Sequence, residues 1–446
     1  VKRTALILTL CLAMLTACAV SKQDVPIAGL ADVTQDAGMY HGLNADTTLL
    51  PEDIQQEAYA RLLKEHFSPW ERTAPKHTAD EAFWGFDSFG PKQLYGENTL
   101  LRSRGWMDRM REYSRIPQYP SLNRRAIAVN NTSMRVFPTH EPAFMDFKKA
   151  GEGYPFDYIQ NSLVLAGTPL YAAHLSADRA WVLVESRFAF GWVPITDIGW
   201  VDDGFASIFM TGAYAAIMRD DVPIMDTDGN YRFTGHVGTL LPIMQTDIVT
   251  GALPLIIPVR NKNGSAIPMV SFVPTTFAEK TPIAPTPANF TRLINAMLGR
   301  PYGWGGLYED RDCSASLMDL MVPFGIYLPR NSSQQIKEGT FADMETMSHT
   351  EKKQFMVKTG TPFLTLVRKP GHIMLYIGQK DGEPVIFHSV WGIKTEQNGK
   401  YGRRVIGGAV ISTLEAGHNL PDLADKGGNW LDTVRAISTL PGTSTQ

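Results

Sequence analysis

At about residue 121 the chain stops reading as helix and starts reading as short strands, and near residue 284 it changes back. Before the first change, "PEDIQQEAYARLLKEHFSPW" sets Ile54, Ala58 and Leu62 near a helical period, with Pro51 at its start and Pro69 beyond its end. "LLRSRGWMDRMREY" continues in that style. Between the changes, "AIAVNNTSMRVFP", "SLVLAGTPLYAAHL", "RAWVLVES" and "GWVPITDIGWV" are short apolar or alternating runs broken by Gly, Pro, Asn and Asp. A second set follows in "AAIMRDDVPIMD", "GHVGTLLPIM", "ALPLIIPV" and "PMVSFVP". Each set is the signature of a small all-β barrel. "AEKTPIAPTPANFT" (278–291) reads as a semi-rigid proline-rich linker. The last block opens with a helix, "NFTRLINAMLG", with Asn289 or Thr291 as its cap. A chain of 446 residues exceeds one ordinary core, so these blocks are read as domains. The expectation is a multidomain α+β protein: a mainly helical region over 18–120, β-barrels over 121–206 and 207–280, and a final domain over 284–446.

The first residues, "VKRTALILTLCLAMLTACAV", read as a targeting segment, with Lys2 and Arg3 ahead of an apolar stretch from Ala5 to Leu15. "LTAC" (Leu15 to Cys18) resembles the lipobox of bacterial lipoproteins. That resemblance implies cleavage after residue 17, a lipid on the Cys18 sulfur and durable membrane attachment. Ala19 after it suggests an exported lipoprotein facing the periplasm from the outer membrane. Plain secretion with an accidental Cys18 is the alternative. Cys11 leaves with the signal in either case, so Cys313 has no partner and a disulfide framework is excluded. No later apolar run is long enough to span a bilayer. A net charge of −3 gives no basic field, so nucleic acid is not an expected partner.

Cys313 follows the glycine-rich aromatic loop "RPYGWGGLYEDRDC". Behind it Leu317, Met318, Leu320, Met321 and Phe324 form one apolar helical stripe that ends at Gly325. Cys313 is therefore placed at a helix N-terminus with Asp312 at the cap. Unpaired N–H groups there stabilise a thiolate, so its pKa is expected to be lowered, and they can receive a developing oxyanion.

A nucleophilic thiol needs a base, and two histidines stand in strand-like runs: His372 in "PGHIMLYIG" and His388 in "VIFHSVWG". "QKDGEP" between them signals a hairpin. Side-chain parity then decides the chemistry. A two-residue Asp381-Gly382 turn alone pairs Met374 with Ser389 and puts the two imidazoles on opposite faces. An odd loop, or an equivalent bulge, pairs Met374 with His388 and makes the rings diagonal neighbours. Turn propensity favours the first; a catalytic pair requires the second. In that arrangement His372 takes the thiol proton and His388 orients it.

Together "RPYGWGG", "DCSASL", "GIYLPRNSSQQ", "GHIMLYIG" and "FHSVWG" resemble the NlpC-type cell-wall peptidases, the papain-like cysteine peptidases of bacterial peptidoglycan. The match spans roughly residues 300 to 391. The resemblance implies a nucleophile helix packed on an antiparallel sheet, with Cys313 as nucleophile, His372 as base and His388 as its partner. Tyr302 would lend its hydroxyl to the oxyanion hole. Asp312 would bind the free amine of an N-terminal L-alanine, and Trp304, Ser314 and Ser332 would line the groove. As structural alternatives, Trp304 is a core aromatic, Asp312 and Ser314 are caps and Ser332 is a turn residue. Ala315 departs from the family's usual glycine. The regions upstream resemble a stabilising domain and two bacterial SH3-like barrels. "YPFDYIQNS" offers Asp157, Tyr158 or Gln160 as a lip over the groove.

The implied activity is hydrolysis of the γ-D-glutamyl-diaminopimelate bond in stem peptides that begin with L-alanine, through a thioester, by a monomer without metal or cofactor. A groove closed by a barrel would favour recycling of released peptides. The alternatives are an amidase or acyltransferase with the same triad, a non-catalytic wall-binding scaffold, and a zinc site built from Cys313, His372 and His388.

Overall fold

The computed structural model describes residues 25–245 and 250–441. The proposed signal and Cys18 lie outside the described residues. Among the described residues no helix is long and apolar enough to cross a membrane.

Helix α1 (Glu52–Phe67) starts after Pro51, but its buried stripe is Gln55, Tyr59, Leu62 and His66. It is rotated from the Ile54/Ala58/Leu62 stripe because the helix packs on distant chain. Gln55 Nε2 donates to the carbonyls of Ile283 and Phe324, at 2.7 and 3.1 Å, and Tyr59 meets the Thr281 hydroxyl at 2.9 Å. Helix α2 (Arg104–Ser114) is capped by the Ser103 hydroxyl. Its Trp106 and Met110 pack with Phe83, Phe86 and Phe137 into a core shared with the first barrel.

The first barrel is a seven-stranded antiparallel sheet running from Arg124 to Trp200. A short helix, α3 (Asp203–Phe209), leads into the second. The strands from Tyr214 to Lys280 form three smaller sheets around a common core that includes Ile217, Ile224, Phe233 and Ile257. The proline-rich segment is not a free linker. Ala278–Lys280 is a strand of that second barrel. Thr286 caps helix α4 (Pro287–Met297), five residues before Thr291, because Pro287 fits the first helical position.

The final domain is a six-stranded antiparallel sheet. Its strands are β1 (Thr340–Asp343), β2 (Thr365–Lys369), β3 (His372–Lys380), β4 (Glu383–Gln397), β5 (Lys400–Thr413) and β6 (Ala436–Thr439), in the order β1-β6-β2-β3-β4-β5. Ile373, Leu375 and Phe387 face helices α4 and α5 (Cys313–Met321). Met374, Tyr376 and Ile386 face helix α6 (His349–Thr359) and Trp430 on the other side. This is the period-2 alternation of a sheet buried on both faces.

The β3–β4 hairpin resolves the parity question. Its turn is the two-residue Asp381-Gly382, both at positive φ, with Lys380 paired to Glu383. The register then shifts between Tyr376 and Gly378, so Leu375 faces Phe387. One extra residue, Ile377, restores what the even turn takes away, and Met374 falls opposite His388. Gly378 at the bulge has φ +131°, and an added Cβ would overlap the Tyr40 carbonyl, which the Gln379 N–H reaches at 3.0 Å. Gly378→Ala should therefore destabilise the protein by on the order of 3 kcal/mol. Activity should fall with it, read by thermal unfolding and turnover of the same preparation. Unchanged stability would show that the strap at Tyr40 does not hold the bulge.

Candidate active site

Helix α5 begins at Cys313, and Asp312 is its N-cap, accepting the Ala315 N–H at 2.9 Å. The thiol is 8% exposed and faces the N–H of Ile373, one residue past His372. Because the bulge sets the register, His372 Nε2 lies 2.8 Å from His388 Nδ1, with the rings 5.1 Å apart. Trp430 stands edge-on over His388, centroids 4.9 Å apart, and shields the pair.

The chain of hydrogen bonds continues to a residue the sequence reading did not single out. His388 Nε2 is 3.1 Å from the Ser412 hydroxyl, and Ser412 donates to the Thr413 carbonyl at 3.1 Å. That last bond uses the only hydroxyl proton, so Ser412 can only accept from His388. His388 then carries its proton on Nε2 and offers a lone pair at Nδ1. His372 must donate from Nε2, which leaves its Nδ1 as the free basic nitrogen. Ser412→Ala should unlock this tautomer and lower kcat roughly 10- to 100-fold, part of the ~10²–10⁴ that general-base catalysis supplies. KM should stay unchanged. A kcat equal to that of the unaltered enzyme would remove Ser412 from the relay. Sequence spacing carried no signal for it, since Ser412 reaches His388 only through β4–β5 pairing.

The protonation states differ from the expected lowered thiol. Burial, then the adjacent Asp312 carboxylate, push Cys313 up to about 11, against the pull of Arg330 and of the N–H groups of Ile373 and Ser314. Burial, then His388 and Lys369, hold His372 well below 6.5, and burial and Lys369 bring His388 to about 3. The helix N-terminus is thus outweighed by desolvation, and the resting pair is neutral thiol and neutral imidazole. A base with a depressed pKa stays unprotonated through the neutral range. The acid limb of kcat/KM should therefore fall only well below pH 6.5. Iodoacetamide labelling of the free enzyme should still be climbing between pH 8 and 11; a plateau by pH 7 would contradict the neutral pair.

Tyr302 lies beside the thiol. Burial, then Asp312 and Cys313, raise its phenol, so it keeps its proton and can donate. Trp304 packs against Phe156 and Tyr158 of the first barrel, with centroids 5.1 and 5.9 Å away. Phe156 also meets Tyr302 and Trp391, at 6.5 and 5.7 Å. The barrel lip therefore reaches the site through Phe156 and Tyr158. Asp157 is instead buried on Arg135 at 2.6 Å. Gln160 holds the nucleophile loop, donating to the Gly305 carbonyl at 3.1 Å. Gly305, Gly306, Tyr308 and Glu309 all have positive φ there. The two glycines back onto Gln160 and Leu163, where side chains would collide.

Asp312 is not a lone carboxylate. Arg330 grips both its oxygens, at 3.0 and 2.5 Å, and Ser314 and the N–H groups of Ala315 and Gly305 also donate to it. Burial would raise its pKa, and the Arg330 pair more than offsets that. Ser314 accepts from Arg330 at 2.9 Å, so its hydroxyl is spent within this network. Ser332 opens a one-turn helix (Ser332–Gln335), and it is Gln335 that reaches α5, donating to the Ser314 carbonyl at 2.8 Å. Among the described residues no three His, Cys, Asp or Glu side chains are grouped as metal ligands. The two imidazoles are instead bonded to each other, which is the geometry of a relay.

Family models match four successive stretches of the chain. Residues 5–119 match the NLPC_P60 stabilising domain, 142–194 an SH3 domain of SH3b1 type, 202–247 an SH3 domain of SH3b2 type and 299–400 the NlpC/P60 family. No curated protein matches the chain. Among solved structures, an NlpC/P60 endopeptidase from Photobacterium damselae subsp. piscicida is similar, with 26% identity and a TM-score of 0.81 over 92% of this chain and 98% of that one. An NlpC/P60 family protein from Bacillus cereus has 14% identity and a TM-score of 0.47 over 71% of this chain and 99% of that one. The thiol, the imidazole pair and the loop that carries the thiol all fall within residues 299–400, the stretch that matches the NlpC/P60 family, behind stretches that match its N-terminal stabilising domain and two SH3 domains.

Proposed function

We propose that the protein is a peptidoglycan hydrolase that cleaves the γ-D-glutamyl-diaminopimelate bond of stem peptides with a free N-terminal L-alanine. The observation that carries this is Cys313 at a helix N-terminus beside a histidine whose tautomer is fixed by His388 and Ser412. The thiol proton passes to His372 Nδ1 as sulfur attacks the γ-carbonyl carbon. Tyr302 and the Cys313 N–H receive the oxyanion. His372 then protonates the departing amine, leaving a thioester that water hydrolyses with the same imidazole as base.

Free peptides are favoured over intact wall because Phe156 and Tyr158 of the first barrel stand against the aromatic wall of the site. Asp312 would meet the substrate ammonium within its Arg330 pair. The membrane anchor and periplasmic location rest on the Lys2–Cys18 segment alone.

Incubation with free stem peptides and with intact sacculi, followed by mass analysis, tests the reading. L-Ala-γ-D-Glu should appear from the peptides and little should be released from sacculi. Release of intact stem peptides from glycan would indicate an amidase. No product from either, with the fold intact, would indicate a wall-binding scaffold.

A further inference from the structure

Beside His372 lies a cleft of about 400 Å³. Four cations line it, Lys369, Lys394, Arg403 and Lys426, together with Trp430 and Thr433, and no carboxylate does. Lys369 is the cross-strand partner of His372, and Trp430 shields the His372–His388 pair, so the cleft adjoins the catalytic base. The cations are poorly compensated. Lys394 donates to the Lys426 carbonyl at 3.0 Å and sits 3.7 Å over the Tyr401 ring. Arg403 reaches its neighbour's carbonyl, Gly402, at 3.0 Å. Among the described residues neither the Lys369 nor the Lys426 ammonium has a hydrogen-bond or ion-pair partner. Lys369 and Lys394 are half-buried, while Arg403 and Lys426 are exposed at the rim. Like charges gathered without a counter-ion are costly, most of all where they are half-buried, and an anionic ligand removes the cost.

The leaving amine must take its proton from His372, so the leaving group lies on the side where His372 and this cleft stand. The acyl part then lies along Tyr302, Trp304 and Trp391. We infer that the Lys369–Lys394–Arg403–Lys426 cleft is the leaving-group subsite and selects amines that bear free carboxylates, one of them held between Lys369 and Arg403. The inference rests on the diamino acid leaving group proposed above, and it adds that the carboxylates of that group, as well as its bond to glutamate, are read. A carboxylate there also offsets the Lys369 charge that disfavours imidazolium at His372, so the correct leaving group eases proton transfer from the thiol.

Two measurements test it. The first compares kcat/KM for L-Ala-γ-D-Glu-meso-diaminopimelate with that for the same peptide carrying carboxamides on the diaminopimelate. The intact enzyme should favour the carboxylate form at least tenfold, and the Lys369→Met/Arg403→Met enzyme should lose that preference while unfolding at the same temperature. Equal values in the intact enzyme, or an undiminished preference in the double variant, would overturn the subsite. The second uses full-length Cys313→Ala and the dipeptide meso-diaminopimelyl-D-alanine, read by calorimetry. Binding should weaken at least tenfold on amidation of the dipeptide and on the same double substitution. Equal binding of the acid and amide forms would overturn the subsite whether or not any substrate is turned over. Absence of turnover with this binding difference retained would instead overturn the hydrolase reading and leave the anion subsite standing.

Discussion

Cys313→Ala should abolish cleavage of L-Ala-γ-D-Glu-diaminopimelate, lowering kcat by on the order of 10⁶, to the level left by binding alone. In the proposed mechanism the thiol is the atom that forms the thioester, and no other cysteine lies among the described residues to take its place. The fold should survive. Cys313 is the first residue of α5, its backbone position is set by the Asp312 cap and by the Ser316 N–H bonded to the Asp312 carbonyl, and alanine suits a first helical turn. Removing one buried sulfur should shift Tm by no more than about 3 °C. Turnover retained in the variant, measured as released L-Ala-γ-D-Glu by mass, would refute covalent catalysis at this thiol. Lost turnover with a large fall in Tm would point to a packing role, and circular dichroism of the same sample separates the two.

The second large effect is on stability. Arg330→Met should destabilise the protein by about 3–5 kcal/mol and lower Tm by roughly 10 °C. Asp312 and Arg330 are both buried, and the guanidinium also donates to Ser314 and, at 3.0 Å, to Ser162 of the first barrel. Removing it leaves a carboxylate in low dielectric with only neutral donors, beside the thiol. The Asp312 pKa is depressed in the folded protein, so the pair's contribution is present above the unfolded value near 3.9 and is lost as pH falls through the lower folded value. The deficit of the variant should therefore be full at pH 7 and shrink toward pH 3. The double variant Arg330→Met/Asp312→Asn should recover much of the stability by removing the orphaned charge. A single variant that unfolds within about 2 °C of the unaltered protein at pH 7 would show that the pair contributes little.

The register of the two histidines shows where local sequence runs out. Residues 372 to 388 state that a hairpin forms, and Asp381-Gly382 is the turn they call for. By local rules that turn separates the imidazoles. The bulge that reunites them is placed at Gly378, where Tyr40, more than three hundred residues earlier in the chain, lies against β3 and admits no side chain. The thiol pKa is a similar case. A helix N-terminus argues for a lowered value, and only the burial of Cys313 beside Asp312 reverses the direction. In α1 the helical period was legible, but the stripe that is buried follows the carbonyls of Ile283 and Phe324 that Gln55 must satisfy.

Local residue patterns are enough to specify the parts: helix, two sets of short strands, a capped helix beginning at a cysteine, and a histidine hairpin. Their signals are local, made of periodicity, turn residues and caps within a few positions. Tertiary structure alone decided which face each imidazole takes, that Ser412 completes the relay, that Arg330 occupies Asp312, and that four unrelated cations meet beside the base. Each of these depends on desolvation or on contacts between residues far apart in the chain, whose energies do not exist until the domains have packed.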